Sequence, residues 1–123
     1  MASYVLVVDD EEPIRRFLLR RLEGWGYAVK EADSATAALE LMVADPATIA
    51  IIDIGMPGHN GLWLAEQIRQ RWSKTAIIMA TGADNMRSID ESRQLGAVDY
   101  VLKPFDRELL RQALVRASEA LDD

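Results

Sequence analysis

Short apolar runs alternate along the chain with stretches in which apolar residues recur at helical spacing. Five runs lack the polar alternation of a half-exposed strand and are predicted to be strands buried on both faces: Tyr4–Val8, Ala28–Val29, Ile49–Ile52, Ala76–Ala80 and Val98–Leu102. Between them, spacings such as Ile14, Phe17, Leu18 and Leu22 predict amphipathic helices. This alternation predicts an α/β fold of the (βα)₅ type, a five-stranded parallel sheet with helices on both faces.

Residues at the predicted boundaries agree with these elements. Pro13 suits the first turn of a helix, and Ser34 suits the N-cap of the next one. Gly24 and Gly26 suit the end of the first helix, and Asp45-Pro46 should stop the second. The helix predicted over about 84–95 has only three large apolar residues, so it should be held less firmly than the others.

Size and composition narrow the class of protein. The 123 residues are predicted to form a single domain over 1–123. The absence of cysteine excludes disulfides and thiolate metal sites and is compatible with a reducing cytosol. The net charge of −6 disfavours direct nucleic-acid binding. No signal peptide or membrane-length apolar run is visible, so we expect a cytoplasmic protein without membrane contact.

Polar residues follow four of the five predicted strands. Asp9 and Asp10 follow the first, Asp53 the third, Thr81 the fourth and Lys103 the fifth. The carboxyl ends of parallel strands meet at one edge of the sheet, where ligands bind. Neighbouring carboxylates repel one another unless a hard cation binds, and an all-oxygen set favours Mg²⁺, with Mn²⁺ as an alternative. With a lysine and a hydroxyl to hold phosphate oxygens, this set fits phosphoryl transfer to a carboxylate.

Each of these residues also has a structural interpretation when taken alone. Asp10 would be a helix cap, Asp53 or Thr81 a turn residue, and Lys103 a solvated surface residue. Their coincidence at four strand ends favours a functional site.

Five segments carry a family resemblance: Val7–Glu11, Asp53–Pro57 with Gly61, Ala80–Gly82, Gly96–Tyr100 and Lys103–Phe105. In this order and spacing, they make the chain similar to the receiver domain of two-component response regulators from about Tyr4 to Leu121. The resemblance implies a flavodoxin-like sheet with strand order 2-1-3-4-5.

The resemblance also implies a role for individual residues. Asp53 would be the phosphoacceptor, and Asp10 and Asp53 would ligate Mg²⁺ directly. Asp9 would act mainly through a bound water, and the backbone carbonyl of Gly55 would be a further ligand. The donor would be a phosphohistidine on a sensor histidine kinase or a histidine phosphotransfer protein.

The remaining implied roles concern the response to phosphorylation. Thr81 would hydrogen-bond the phosphoryl group, Lys103 would pair with one of its oxygens, and Tyr100 would be the switch aromatic. The Lys103–Pro104 peptide bond would be cis. Small residues at Gly55 and Ala83 would leave the phosphoryl group open to water, which predicts a moderately short-lived phospho-state.

The output is expected to act through the 84–95 helix, the fifth strand and the last helix. Candidate surface residues there are Arg87, Glu91, Tyr100, Arg107 and Arg111. The output domain or target is not defined by the sequence, and a phosphorylation-dependent homodimer is an option. The arginines of the first helix (Arg15, Arg16, Arg20 and Arg21) are interpreted as a solvated face, with kinase docking as the alternative. His59 is expected to be an exposed loop residue.

Three other functions could use the same type of fold, and the residues at the strand ends bear on each. An aspartyl-phosphate hydrolase would want a second acid where Gly55 stands, so we expect no turnover of small molecules. A nucleotide- or flavin-binding loop is disfavoured by the acidic run Asp9–Glu12. The main alternative is a pseudo-receiver that binds a partner without being phosphorylated, although such modules tend to lose Asp10, Asp53 or Lys103, which are all present here.

Overall fold

The computed structural model describes residues 4–56, 58, 60–82, 99–102 and 106–121, apart from the side chains of residues 81, 99, 100, 102 and 121. The strands are β1 (Val5–Val8), β2 (Val29–Ala32), β3 (Ile49–Asp53), β4 (Ala76–Thr81) and β5 (Asp99–Leu102). The helices are α1 (Glu12–Gly24), α2 (Ala35–Ala44), α3 (Gly61–Arg71) and the C-terminal helix (Arg107–Leu121). The helix predicted over 84–95 lies outside the described residues.

All strand pairs are parallel, and the sheet order is β2-β1-β3-β4-β5. This agrees with the predicted doubly wound arrangement. In the register, Val8 pairs with both Ala32 and Ile52, and Asp53 pairs with Ala80. The carboxyl ends of the three central strands therefore lie level, which brings the residues that follow them to one edge.

Alternate residues of the central strands face two separate cores. Leu6 and Ile52 face one side of the sheet with α2 and α3, where Met42 and Leu64 are fully buried. The alternate residues of the same strands face the other side of the sheet, against α1 and the C-terminal helix. This second core contains Val7, Leu18, Leu22, Ile51, Leu110 and Leu114. Because both faces are covered, these strands are apolar throughout, which is the pattern read from the sequence.

The predicted β2 was too short. The sequence indicated Ala28–Val29, whereas the strand runs from Val29 to Ala32. β2 is an edge strand, and Lys30 and Glu31 are exposed there, so it does not have the apolar run of a central strand. The predicted N-cap of α2 is confirmed, because the Ser34 hydroxyl accepts a hydrogen bond from the Ala37 N–H at 3.1 Å.

Candidate functional site

Four acidic side chains meet at the carboxyl edge of the sheet. One carboxylate oxygen from each of Asp9, Asp10, Glu11 and Asp53 lies within 4.8 Å of the others. Asp9 and Asp53 are buried, with 1% and 4% exposure, while Asp10 and Glu11 are exposed. Carboxylates this close repel one another, and a hard cation with oxygen ligands relieves the repulsion. The donor set therefore fits Mg²⁺, with two buried carboxylates, Asp9 and Asp53, and two exposed ones, Asp10 and Glu11.

Glu11 is the member of this cluster to which the sequence analysis gave no role. The signal was its place in the run Asp9–Asp10–Glu11, directly after a buried strand. Glu11 also occupies the N-cap of α1, although its side chain makes no capping hydrogen bond. The cap position places its carboxylate at the same edge as the two aspartates.

Asp9 is fixed in the turn between β1 and α1. Its N–H donates to the Ala32 carbonyl of β2 at 3.2 Å. Its Oδ1 accepts from the Glu11 N–H at 2.9 Å, a side-chain turn typical of aspartate after a strand. The buried carboxylate of Asp9 is thus restrained by the backbone N–H of Glu11, two residues further along the chain.

Asp53 is the last residue of β3, a central strand of the sheet. The next residue, Ile54, continues the ladder by donating to the Ala80 carbonyl at 3.0 Å. The Asp53 Oδ1 accepts from the Gly55 N–H at 3.2 Å, which restrains the carboxylate plane. This contact brings Gly55 next to Asp53, whereas the metal-binding role of the Gly55 carbonyl stays a prediction.

Gly61, one of the residues behind the family resemblance, packs against the backbone of Asp53. The Gly61 N–H donates to the Ile54 carbonyl at 3.1 Å. A Cβ on Gly61 would lie against the Asp53 carbonyl oxygen and 2.7 Å from its carbonyl carbon. Asn60 caps α3 through its Oδ1, which accepts from the Trp63 N–H at 3.0 Å. α3 can therefore begin directly on the phosphoacceptor candidate only because residue 61 is glycine.

Arg15 does not belong to a solvated helix face, so that interpretation was wrong for this residue. Its side chain is only 12% exposed. Its Nη1 donates to the Asp9 carbonyl at 2.8 Å, and its Nε donates to Glu31 Oε1 at 2.8 Å. The hydrogen bond to Glu31 raises the pKa of Arg15 above its ordinary value, and this effect is larger than that of burial, which lowers the pKa. The interpretation does fit Arg16, whose side chain is 62% exposed beside Glu12.

Several predicted residues are only partly covered by the structure. Thr81 ends β4, the strand next to Asp53, and Tyr100 lies within β5, but their side chains are outside the described residues. Arg107 and Arg111 are exposed on the C-terminal helix. The other assigned residues fall outside the described part of the chain: His59, Ala83, Arg87, Glu91, Lys103 and Pro104. Among the described helices, none has the length and apolar character needed to cross a bilayer.

Known proteins resemble the chain in both sequence and fold. The family model of the response regulator receiver domain matches residues 5–115. A putative NtrX-like response regulator of Rickettsia conorii is 33% identical over 117 residues, which cover 94% of this chain and 25% of the relative. The receiver domain of AraT from Geobacillus stearothermophilus superposes with a TM-score of 0.90 at 30% identity, covering 99% of this chain and 97% of that one.

A second solved structure agrees with these matches. The chemotaxis protein CheY4 of Vibrio cholerae superposes with a TM-score of 0.86 at 28% identity, covering 95% of this chain and 99% of that one. The chain spans 24% of the length of an NtrX-like relative from Rickettsia bellii and 58% of the length of the acid tolerance regulator ActR from Rhizobium meliloti. The matched segment includes the acidic cluster and every strand of the sheet. The chain belongs to the response regulator receiver domain family of two-component signalling systems.

Proposed function

We propose that this chain takes a phosphoryl group from a phosphohistidine onto Asp53, in a reaction that requires Mg²⁺. The observation that carries the proposal is the burial of Asp53 within 4.8 Å of three other carboxylates, at the carboxyl edge of a receiver-family sheet. The donor would be a sensor histidine kinase or a histidine phosphotransfer protein, met in the cytoplasm. No turnover of small-molecule substrates is proposed.

The transfer exchanges one bond to phosphorus for another. A bond from an Asp53 carboxylate oxygen to phosphorus forms as the phosphorus–nitrogen bond of the donor breaks, and the departing imidazole takes a proton from solvent. Mg²⁺ held by Asp10, Asp53, the Gly55 carbonyl and, through water, Asp9 would neutralise charge on the carboxylates and on the transferred oxygens. The Gly55 N–H restrains the Asp53 carboxylate for this attack through the 3.2 Å contact. Lys103 and Thr81 would hold the remaining phosphoryl oxygens.

The response to phosphorylation is proposed to reach the β5 edge of the sheet. Thr81 would move toward the phosphoryl group, and Tyr100 would turn inward behind it. The proposed readout face consists of the 84–95 helix, which would complete the (βα)₅ fold, together with β5 and the C-terminal helix. Support comes from the C-terminal helix, where Val115 is 49% exposed and lies one turn after the exposed Arg111, on the same helix face. Apolar and cationic groups together on an outer helix face suit a protein contact.

The direct test is intact-protein mass spectrometry after incubation with acetyl phosphate and Mg²⁺. The wild-type chain should gain one phosphoryl group, and Asp53→Asn or chelation of Mg²⁺ should abolish the gain. Asp33→Asn is the matched control, because Asp33 is an exposed aspartate that follows β2 at the same edge of the sheet. The control should gain the group as the wild-type chain does.

Two outcomes would contradict the proposal. A gain that persists in Asp53→Asn would place the phosphoryl group elsewhere. If the chain gained no phosphoryl group from acetyl phosphate and none from any histidine kinase tried afterwards, it would be a phosphorylation-independent interaction module.

A further inference from the structure

Arg15 connects three elements beside the acidic cluster. It is the fourth residue of α1, and its guanidinium reaches the end of β1 at the Asp9 carbonyl and β2 at Glu31, with both donor–acceptor distances 2.8 Å. The neighbouring Arg16 contacts Glu12 of the same helix at 3.2 Å and is 62% exposed, against 12% for Arg15. Two adjacent arginines thus have different surroundings, and only one of them contacts the site.

The contact with Asp9 acts on the peptide group between the two aspartates. The Asp9 carbonyl belongs to the planar peptide group that joins Asp9 to Asp10, so a hydrogen bond to this oxygen orients that plane, which ends at the Cα atoms of both aspartates. The N–H of Asp9 is already held by Ala32 at 3.2 Å. The Arg15 bond completes the restraint at the point where the chain leaves the sheet and Asp10 becomes exposed.

Glu31 holds the guanidinium in the orientation that this contact needs. The Nε–H points to Glu31, and the Nη1–H then points to Asp9 because the guanidinium group is planar and its donors diverge in a fixed fork. A lysine ammonium has the same charge but lacks this fork, so it cannot serve both acceptors in the same geometry. The Glu31 carboxylate also offsets the positive charge of Arg15, so the guanidinium repels a cation in the acidic cluster less strongly.

We propose that Arg15 is a positioning residue of the phosphoacceptor site, which holds the Asp9–Asp10 peptide so that both carboxylates face the bound divalent cation. The inference rests on the proposed function, since it assigns a metal to the cluster. Removing a hydrogen-bonded partner of a metal ligand typically weakens metal affinity about 10- to 100-fold. Arg15 holds a ligand through its backbone, so we expect the lower end, about 10-fold.

The sign of the effect separates positioning from simple electrostatics. Removing a positive charge near a cation site tightens binding if the charge acts only through space. Removing a group that orients the ligands weakens binding. Arg15→Gln should therefore weaken Mn²⁺ affinity about 10-fold, against the electrostatic expectation. Arg15→Lys retains the charge and should also weaken it, by several-fold.

The measurement is a titration of the whole chain with Mn²⁺ alone, with the free ion followed by electron paramagnetic resonance. Arg16→Gln is the matched control, because it removes the same charge from the adjacent position and should leave the affinity within about 2-fold of the wild type. Thermal unfolding in the presence of a chelator is measured in parallel to find the effect of each substitution on the metal-free fold.

Each outcome decides the matter. An Arg15→Gln variant that melts lower yet binds Mn²⁺ as tightly as the wild type would make Arg15 a purely structural residue, and tighter binding would mean that its charge acts only through space; either result overturns the inference. If Arg15→Gln does not fold, Arg15→Lys decides: wild-type affinity overturns the inference and a several-fold loss supports it. A wild-type chain that binds no Mn²⁺ would overturn the proposed metal-dependent function, and the inference with it.

Discussion

Replacing Gly61 by alanine tests whether the start of α3 must lie directly on the Asp53 backbone. The added methyl group would lie 2.7 Å from the Asp53 carbonyl carbon and 2.9 Å from the Ile54 Cα. Real Cβ atoms do not approach other heavy atoms this closely. The obstacles are backbone atoms of a central strand and the turn after it, so they cannot rotate away as a side chain would. Either α3 or the end of β3 has to move.

Two opposing terms set the size of the effect. Alanine is favoured over glycine by about 1 kcal/mol within a helix, and by less at its first residue. Overpacking in a tight site costs about 1–3 kcal/mol, with larger values where backbone must shift. We expect the overpacking to exceed the helix preference, with a net loss of about 2 kcal/mol. For a chain of this size, that loss lowers Tm by roughly 6–12 °C.

Thermal and urea unfolding of Gly61→Ala measure this loss, and phosphorylation by acetyl phosphate shows whether the strain reaches Asp53. The matched control is Gly24→Ala, since Gly24 also lies in a helix, its φ is not positive, and a Cβ there meets no atom within 4 Å. The control should melt at the wild-type temperature or above it. If Gly61→Ala melted within about 1 °C of the wild type and accepted the phosphoryl group at the same rate, the argument from close packing would be wrong.

Two further predictions concern single hydrogen bonds away from the site. Ser34→Ala removes the α2 cap that holds the Ala37 N–H at 3.1 Å and should cost about 1 kcal/mol in urea unfolding, whereas Ser73→Ala in an exposed turn should cost nothing measurable. The buried Tyr4 hydroxyl donates to the Asp45 carbonyl at 2.6 Å, and burial, then the Asp45 charge, raise its pKa above 10.0. The unfolded chain ionises this group first, so its stabilisation is present below pH 10.0 and is lost as pH rises through the raised pKa. Unfolding against pH should show this loss in the wild type and a smaller one in Tyr4→Phe; identical profiles would contradict it.

The strands that the sequence predicts well are those buried on both faces. β1, β3 and β4 are continuous apolar runs because helices cover both sides of them. β2 was predicted only in part because an edge strand exposes Lys30 and Glu31, so its last three residues do not form an apolar run. The same physical cause, burial on one side or both, accounts for the success and the failure.

The acidic residues could be predicted to meet because parallel strands end at one edge, which is a matter of topology. The contacts of Arg15 could not be predicted in this way, since they depend on a side chain that spans three elements. One signal was present in the sequence: Arg15 stands three residues before Leu18 and seven before Leu22, which are both fully buried. A cation on the buried stripe of a helix needs partners, and this spacing distinguishes Arg15 from Arg16.

The two adjacent arginines of α1 also allow the outer surface of the protein to diverge while its chemistry is preserved. Successive residues of a helix point roughly 100° apart, so Arg16 faces solvent while Arg15 faces the sheet. Substitutions at Arg16 change what this helix presents to other molecules without disturbing the peptide that carries the two aspartates. Arg15 is more constrained, because its charge is only 12% exposed and depends on the Asp9 carbonyl and Glu31 for hydrogen bonds.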